Sequence, residues 1–283
     1  MKKGNWFIIA SAVMFSIGGL LIKMINWNAM TINGVRSILG AMVLCIYLIC
    51  IKHKLVINKT VLTGAVCVAG TTLLYAIANK LTTAGNAIIL EYTAPIWVMI
   101  FSALFFRVKP HKTDIAAAIC ILLGVVCFFI DGLSTGNMLG NILALISGIF
   151  YSGVFMMGAS KDSDSLSSTF FGMCINSLIG IPFILQQDFS ATDLSGLAAA
   201  ICLGIFQVGL AYVFLNCGLK YTSPTSASLL GGLEPVLNPV LAAVFYGEML
   251  STVSMIGAAI VFVSITLYSV KKCQISDNKS YGI

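Results

Sequence analysis

The chain has 283 residues, of which 59% are hydrophobic and only 9% charged, with a net charge of +6 and a mean hydropathy of +1.00. A soluble domain carries about 25% charged residues, so this composition excludes a water-solvated globule and leaves a lipid bilayer as the solvent. The nine cysteines show no CxxC spacing and lie mostly inside apolar stretches, where Cys behaves as a small hydrophobe; neither a disulfide framework nor a metal site is expected.

A spanning helix needs about 20 mostly apolar residues. Ten stretches meet this in chain order: 6–25, 30–51, 60–79, 84–107, 114–131, 138–160, 166–187, 194–219, 224–246 and 251–270. The first, within "MKKGNWFIIASAVMFSIGGLLIKM", is too long for the h-region of an ordinary signal peptide and is read as a span. Short polar breaks such as "NWNA", "KHKLVINK", "VKPHKTD", "KDSDS" and "QQDFSATD" separate the stretches. Both faces of each are apolar, so length decides the assignment, together with the need to satisfy every backbone group internally in lipid. His53 and His111 fall in basic connectors and read as solvated loop residues.

Cytoplasmic loops favour Lys and Arg. With the N-terminus inside, 13 of the 16 basic residues fall inside: Lys2, Lys3, Lys52, Lys54, Lys59, Arg107, Lys109, Lys112, Lys161, Lys220, Lys271, Lys272 and Lys279. Lys23 and Lys80 lie at outer ends and Arg36 lies within a span. Both termini are therefore expected in the cytoplasm, the chain crossing a bacterial plasma membrane many times. The positive charge reflects sidedness, not a nucleic-acid partner.

Shifted by 140 residues, "KLTTAGNAIILEYTAP" (80–95) lies against "KYTSPTSASLLGGLEP" (220–235), matching Lys80 with Lys220, Thr82 with Thr222, Ala87 with Ala227 and Pro95 with Pro235. At a shift of 136, "ASAVMFS" (10–16) resembles "ISGIFYS" (146–152). Each half holds five predicted spans. Five is odd, so the second half enters from the opposite side, and the repeats are inverted. The expected fold is an all-α integral membrane protein of ten transmembrane helices in two inverted five-helix repeats, 5–131 and 138–270, with a cytoplasmic tail at 271–283. Secondary transporters are often built in this way.

The two "A…P" fourth-helix segments, "GLKYTSPTSASLL", "PVLAAVFYGEML" and "VRSILGAMVL" together resemble the EamA type of the drug/metabolite transporter superfamily. The resemblance runs over about 5–270. Its Pro-led apolar helix ending in Gly-Glu is matched by Pro235 to Glu248; the first half departs from it, with Arg107-Val108 in the Gly-Glu place. The resemblance implies a central cavity lined by segments 1–4 and 6–9, with segments 5 and 10 as outer scaffolding.

Only two carboxylates lie deep. At 1.5 Å per residue, Glu91 is about 10 Å and Arg36 about 9 Å below the outer surface, so the two are expected to meet. A pair lowers the cost of burying either charge alone, and a substrate could also break it. Glu234 is about 15 Å from either surface with no basic residue at its depth. Desolvation disfavours its charged form, so it is either protonated or partnered by a cation. Pro235 beside it removes a helical N–H and leaves the Gly231 carbonyl without its usual partner. Polar and aromatic residues accompany these charges: Tyr75, Asn79, Asn86, Tyr92, Trp97, Tyr151, Asn176, Gln207, Tyr212, Asn216 and Asn238. About one in three of them is expected to line the cavity, the rest serving as interhelical glue. Gly18, Gly19, Gly34, Gly40, Gly64 and Gly70 read as close-packing positions.

Acids with aromatics suit a cationic or zwitterionic ligand. The sequence reading is a secondary transporter of a small metabolite such as an amino acid or organic amine, and the resemblance implies export as its direction. Its candidate ligands are Glu234, Glu91, Arg36, Tyr75, Asn79, Tyr92, Trp97, Tyr151, Tyr212 and Asn216. The alternatives are a facilitative channel and a non-transporting membrane scaffold. No nucleotide loop, nucleophile–His set or ligand cluster is present, so neither an enzyme nor a cofactor nor a metal is expected. The partners are a small-molecule substrate, protons as the candidate coupling ion, and the bilayer; a monomer is compatible with all of this.

Overall fold

The computed structural model describes residues 3–82, 84–129, 137–157, 162–190, 192–237 and 252–280, which are helical with short connections and contain no strand. The helices run α1 Lys3–Phe15, α2 Gly18–Met24, α3 Ala29–Cys50, α4 Lys59–Leu81, α5 Ala84–Glu91, α6 Ala94–Phe106, α7 Lys112–Phe129, α8 Met138–Met156, α9 Ser165–Gln186 and α10 Leu194–Cys202. A π-helical stretch, Leu203–Leu210, joins α10 to α11, Ala211–Leu219. Then come α12, Pro224–Leu230, a 3₁₀ turn at Gly231–Leu233, a return to helix at 234–237, and α13, Thr252–Ser280.

Among the described residues, seven stretches are long and apolar enough to cross a membrane: Lys3–Met24, Ala29–Cys50, Lys59–Leu81, Asn86–Phe106, Met138–Met156, Ser165–Gln186 and Leu194–Leu219. Large apolar side chains such as Ile57, Phe105, Leu185 and Leu194 stand on the outside, as a lipid solvent requires and water does not permit in such numbers. The predicted segment 224–246 starts as a helix, but its second half, with Asn238 and the "PVLAAVFYGEML" run, lies outside the described residues.

Polar caps start the helices. Asn28 accepts from the Thr31 N–H, Asn58 from Val61, Asp164 from Ser167 and Asp193 from Gly196, each satisfying an otherwise orphaned donor. These caps recur at fixed offsets in the two halves: Asn28 and Asp164 are 136 residues apart, Asn58 and Asp193 are 135.

Prolines set the breaks in the fourth and ninth segments. Pro95 has no N–H to offer the Glu91 carbonyl, and Pro235 none for Gly231. At the first site the chain turns through Tyr92 and Thr93, with the Thr93 hydroxyl donating to the Leu90 carbonyl at 2.8 Å. At the second, the Glu234 N–H donates to the Gly231 carbonyl, which tightens that turn to 3₁₀. Two irregularities were not legible in advance: the break between α1 and α2 at Ser16–Ile17, and the π stretch, which carries Gln207.

Packing alternates between the halves. α4 lies on α8 and α9, and α1 and the π stretch lie on α11 and α3 in turn. α3 also crosses α9, and α7 pairs with α13 at the periphery. At the α3–α9 crossing a β-carbon on Gly34 would sit 2.7 Å from the Gly180 Cα, so two backbones touch where no side chain fits. One buried apolar cluster centres on Phe15, Tyr92, Phe155 and Tyr212, a second on Ile22, Trp27, Tyr75 and Leu203.

Candidate functional site

Between the packed helices lies a cavity of about 30 Å³, room for one or two waters. Its walls come from both halves of the chain. α1 gives Phe15, α3 gives Arg36, α4 gives Thr71, Thr72 and Tyr75, and α5 ends in it with Glu91. α8 gives Tyr151, the π stretch Gln207 and Val208, α11 Tyr212, and the turn after α12 presents Glu234.

Each charge is held by its own neighbours. Arg36, 2% exposed, donates from Nε and Nη2 to Asn33 Oδ1 at 3.3 and 3.1 Å, and from Nη2 to the Thr72 carbonyl at 2.5 Å. Thr72 is fixed in turn by Asn176, whose Nδ2 donates to Thr72 Oγ1 and to the Ala69 carbonyl. Glu91, 7% exposed, accepts from the Ser147 hydroxyl at 2.5 Å. Tyr151 donates to Glu234 Oε2 at 3.1 Å. Gln207 Oε1 is buried without a hydrogen-bond partner. A buried acceptor in that state is costly, and it stands beside the cavity.

The expected Arg36–Glu91 contact is corrected. Among the described residues the ion pair within 4.0 Å is His53–Asp164; Arg36 and Glu91 face one cavity without touching. Glu234 lines the same cavity as Arg36, with the Tyr151 hydroxyl as its hydrogen-bond partner. Depth along a helix could be counted from the sequence, but rotation about its axis and the two proline breaks could not.

Of the other candidates, Tyr75, Tyr151 and Tyr212 line the cavity, as does Gln207. Asn79 is fully buried and lies 3.4 Å from the Tyr75 hydroxyl, supporting it from outside the wall. Tyr92 donates to the Ser228 carbonyl and packs by Gly231. Trp97 faces Phe101 on α6, away from the cavity. Asn216 joins α11 to α9 through Thr169 and caps back on the Tyr212 carbonyl. Thr71, Thr72 and Ser147 were not singled out; small hydroxyls are too common in such spans to mark a site, although Ser147 lies in the "ISGIFYS" repeat. Among the described residues no three His, Cys, Asp or Glu side chains come together as metal ligands would.

Both ends of the bundle are tied across the two halves. At one, Trp27 Nε1 donates to Thr192 Oγ1 at 2.8 Å, Asn28 Nδ2 to Gln187 Oε1 at 3.3 Å, and Thr31 Oγ1 to the Phe183 carbonyl at 3.1 Å. At the other, His53 Nε2 lies 3.1 Å from Asp164 Oδ1, the Val56 N–H donates to Ser167 Oγ at 3.0 Å, and Asn58 Nδ2 donates to the Asp162 carbonyl at 2.7 Å. Partial burial pushes the Asp164 carboxyl up, but hydrogen bonds from Ser167 and His53 outweigh it and hold it below the usual carboxylate range.

Comparison with known proteins places this geometry. The model of the EamA-like transporter family matches twice, at residues 2–130 and 138–270. An uncharacterized transporter of Archaeoglobus fulgidus is 23% identical over 94% of this chain and 96% of its own length. One from Clostridium kluyveri is 25% identical over 96% and 95%. The uncharacterized inner membrane transporter YedA of Escherichia coli is 23% identical over 87% and 83%. A solved crystal structure superposes with a TM-score of 0.81 at 18% identity, covering 94% of this chain and 97% of that one, a likeness of fold. Two tandem matches that together take in nearly every residue from 2 to 270 settle the identity: the chain belongs to the EamA-like transporter family.

Proposed function

We propose that the protein is a secondary transporter that exports a small metabolite, an amino acid or an organic amine, across the plasma membrane by alternating access. The observation that carries this reading is the central cavity, faced by one guanidinium and two carboxylates, with hydrogen bonds tying the two halves at each end of the bundle. With all three ionised the cavity holds one uncompensated negative charge. Charge of that kind is expensive away from water. A proton or a substrate ammonium neutralises it, and the two compete for the same place, which couples their movements. Tyr75, Tyr151 and Tyr212 add ring faces for a cationic group.

Ten spans in two inverted repeats, 5–131 and 138–270, give the moving parts. Three observations support them. The family model matches each half separately. The caps recur at offsets of 136 and 135 residues. The contacts between helices also map onto one another when the halves are exchanged: α4 on α8 becomes α11 on α1, and α3 on α9 and α7 on α13 become themselves. The end ties obey the same exchange. Asn28 caps the second segment and bonds Gln187; Asp164 caps the seventh and bonds His53. A cavity of about 30 Å³ is too small for a metabolite, so loading requires one tie to open while the other holds.

A thermal-shift screen of purified protein against amino acids, polyamines, quaternary amines and nucleobases identifies the ligand, since whatever binds the fold stabilises it by mass action. Saturable flux of that ligand in vesicles supports the carrier reading. Flux that rises linearly with concentration would make the protein a channel.

A further inference from the structure

A second, larger cleft lies outside the transport site. It measures about 530 Å³ and is walled by Met99, Phe106, Val108 and Pro224, with Lys109 and His111 on its polar side. It opens between the segment 4–5 connector and the start of α12, at the end that the charge bias assigns to the cytoplasm. Its carboxylate, Asp114, accepts on one oxygen from the backbone N–H of His111 at 3.0 Å and on the other from the Tyr268 hydroxyl at 2.8 Å. The connector reads "RVKPHK" and carries three Lys or Arg residues and one His in six positions.

Arg107 borders this cleft at the end of α6. It ends α6 in the left-handed conformation, with φ of 54°, a region that strains a residue with a β-carbon and not glycine. In the internal repeat the position 140 residues on is Gly247, the residue such a conformation favours. The first half holds an exposed arginine there instead.

We propose that this cleft binds the phosphate headgroup of an anionic phospholipid of the cytoplasmic leaflet. Lys109 and His111 meet the phosphate, Arg107 and Lys112 supply the surrounding field, and Phe106 and Val108, both exposed, flank the first carbons of an acyl chain. Basic pockets between membrane helices on this side suit such headgroups. The inference rests on the membrane reading and not on the transport reading, so either can fail without the other.

The test uses thermal unfolding of the full-length protein in detergent with added phosphatidylglycerol, phosphatidylcholine of the same chains, or glycerol 3-phosphate. Phosphatidylglycerol is expected to raise Tm saturably, and the other two are not. In the Lys109→Gln/His111→Gln variant the apparent affinity for phosphatidylglycerol falls about tenfold or more. Should that variant fail to fold, Arg107→Gly serves: it relaxes the backbone, so its Tm without anionic lipid is at or above wild type, while its gain from phosphatidylglycerol shrinks. An equal gain from phosphatidylcholine, or an undiminished gain in the variant that folds, overturns the proposal. An equal gain from glycerol 3-phosphate overturns the lipid as occupant in favour of a soluble phosphate ester.

Discussion

Arg36 directs its guanidinium at Asn33 and the Thr72 carbonyl, so any coupling to Glu91 acts across the cavity. A double-mutant cycle of Arg36→Ala and Glu91→Ala is expected to give a coupling below about 1 kcal/mol, while each single change is costly through its own stranded partners. Breaking a contact pair costs about 3–5 kcal/mol, and a coupling of that size would restore the direct pair. These charges were legible in the sequence because an ionised group in an apolar span has to be explained. Tyr75, Tyr151 and Tyr212 were legible in type, but nothing in the residues alone separated them from Tyr92 or Asn216, whose polar atoms are taken up by packing contacts.

Helix limits followed from apolar length and the polar breaks, and the irregularity at Pro235 from its missing N–H; the caps at Asn28 and Asp164 and the turn before Pro95 came from the structure. The π stretch had no proline or glycine pattern to announce it. The crossing of α3 and α9 depends on Gly34 and Gly180 in backbone contact. Gly34→Ala is expected to force the helices apart and to cost about 1–3 kcal/mol, the usual penalty for overpacking; an unchanged Tm would mean the crossing has slack. The His53 end tie carries a titratable group. Because the Asp164 carboxyl is held below its ordinary range, its contribution to stability is present above that range and is lost as pH falls through the lowered value. Asp164→Ala should cost about 1 kcal/mol through loss of the cap. Asp164→Asn keeps a cap and should flatten the fall in Tm below about pH 5, as pH passes down through the ordinary carboxylate range and the lowered value beneath it. Equal acid sensitivity in wild type and Asp164→Asn would show that the tie contributes nothing.

At the scale of the whole molecule, the charge bias predicts the direction of insertion. Single cysteines on a cysteine-free background at 133–137 and 188–193 should label from outside, and at 53–58 and 274–280 from inside; any exchange between these groups would overturn the inverted arrangement. The account's central claim is that the cavity holding Arg36, Glu91 and Glu234 takes up a proton and a substrate cation in turn. Glu234→Gln tests it most directly, since it preserves shape and the hydrogen bond with Tyr151 while fixing the side chain in a neutral form. In reconstituted vesicles, wild-type flux of the identified ligand should vary with pH through one apparent ionisation, whereas Glu234→Gln should fold with an unchanged Tm and transport without that dependence. A Glu234→Gln protein with the wild-type rate and the wild-type pH profile would contradict the claim.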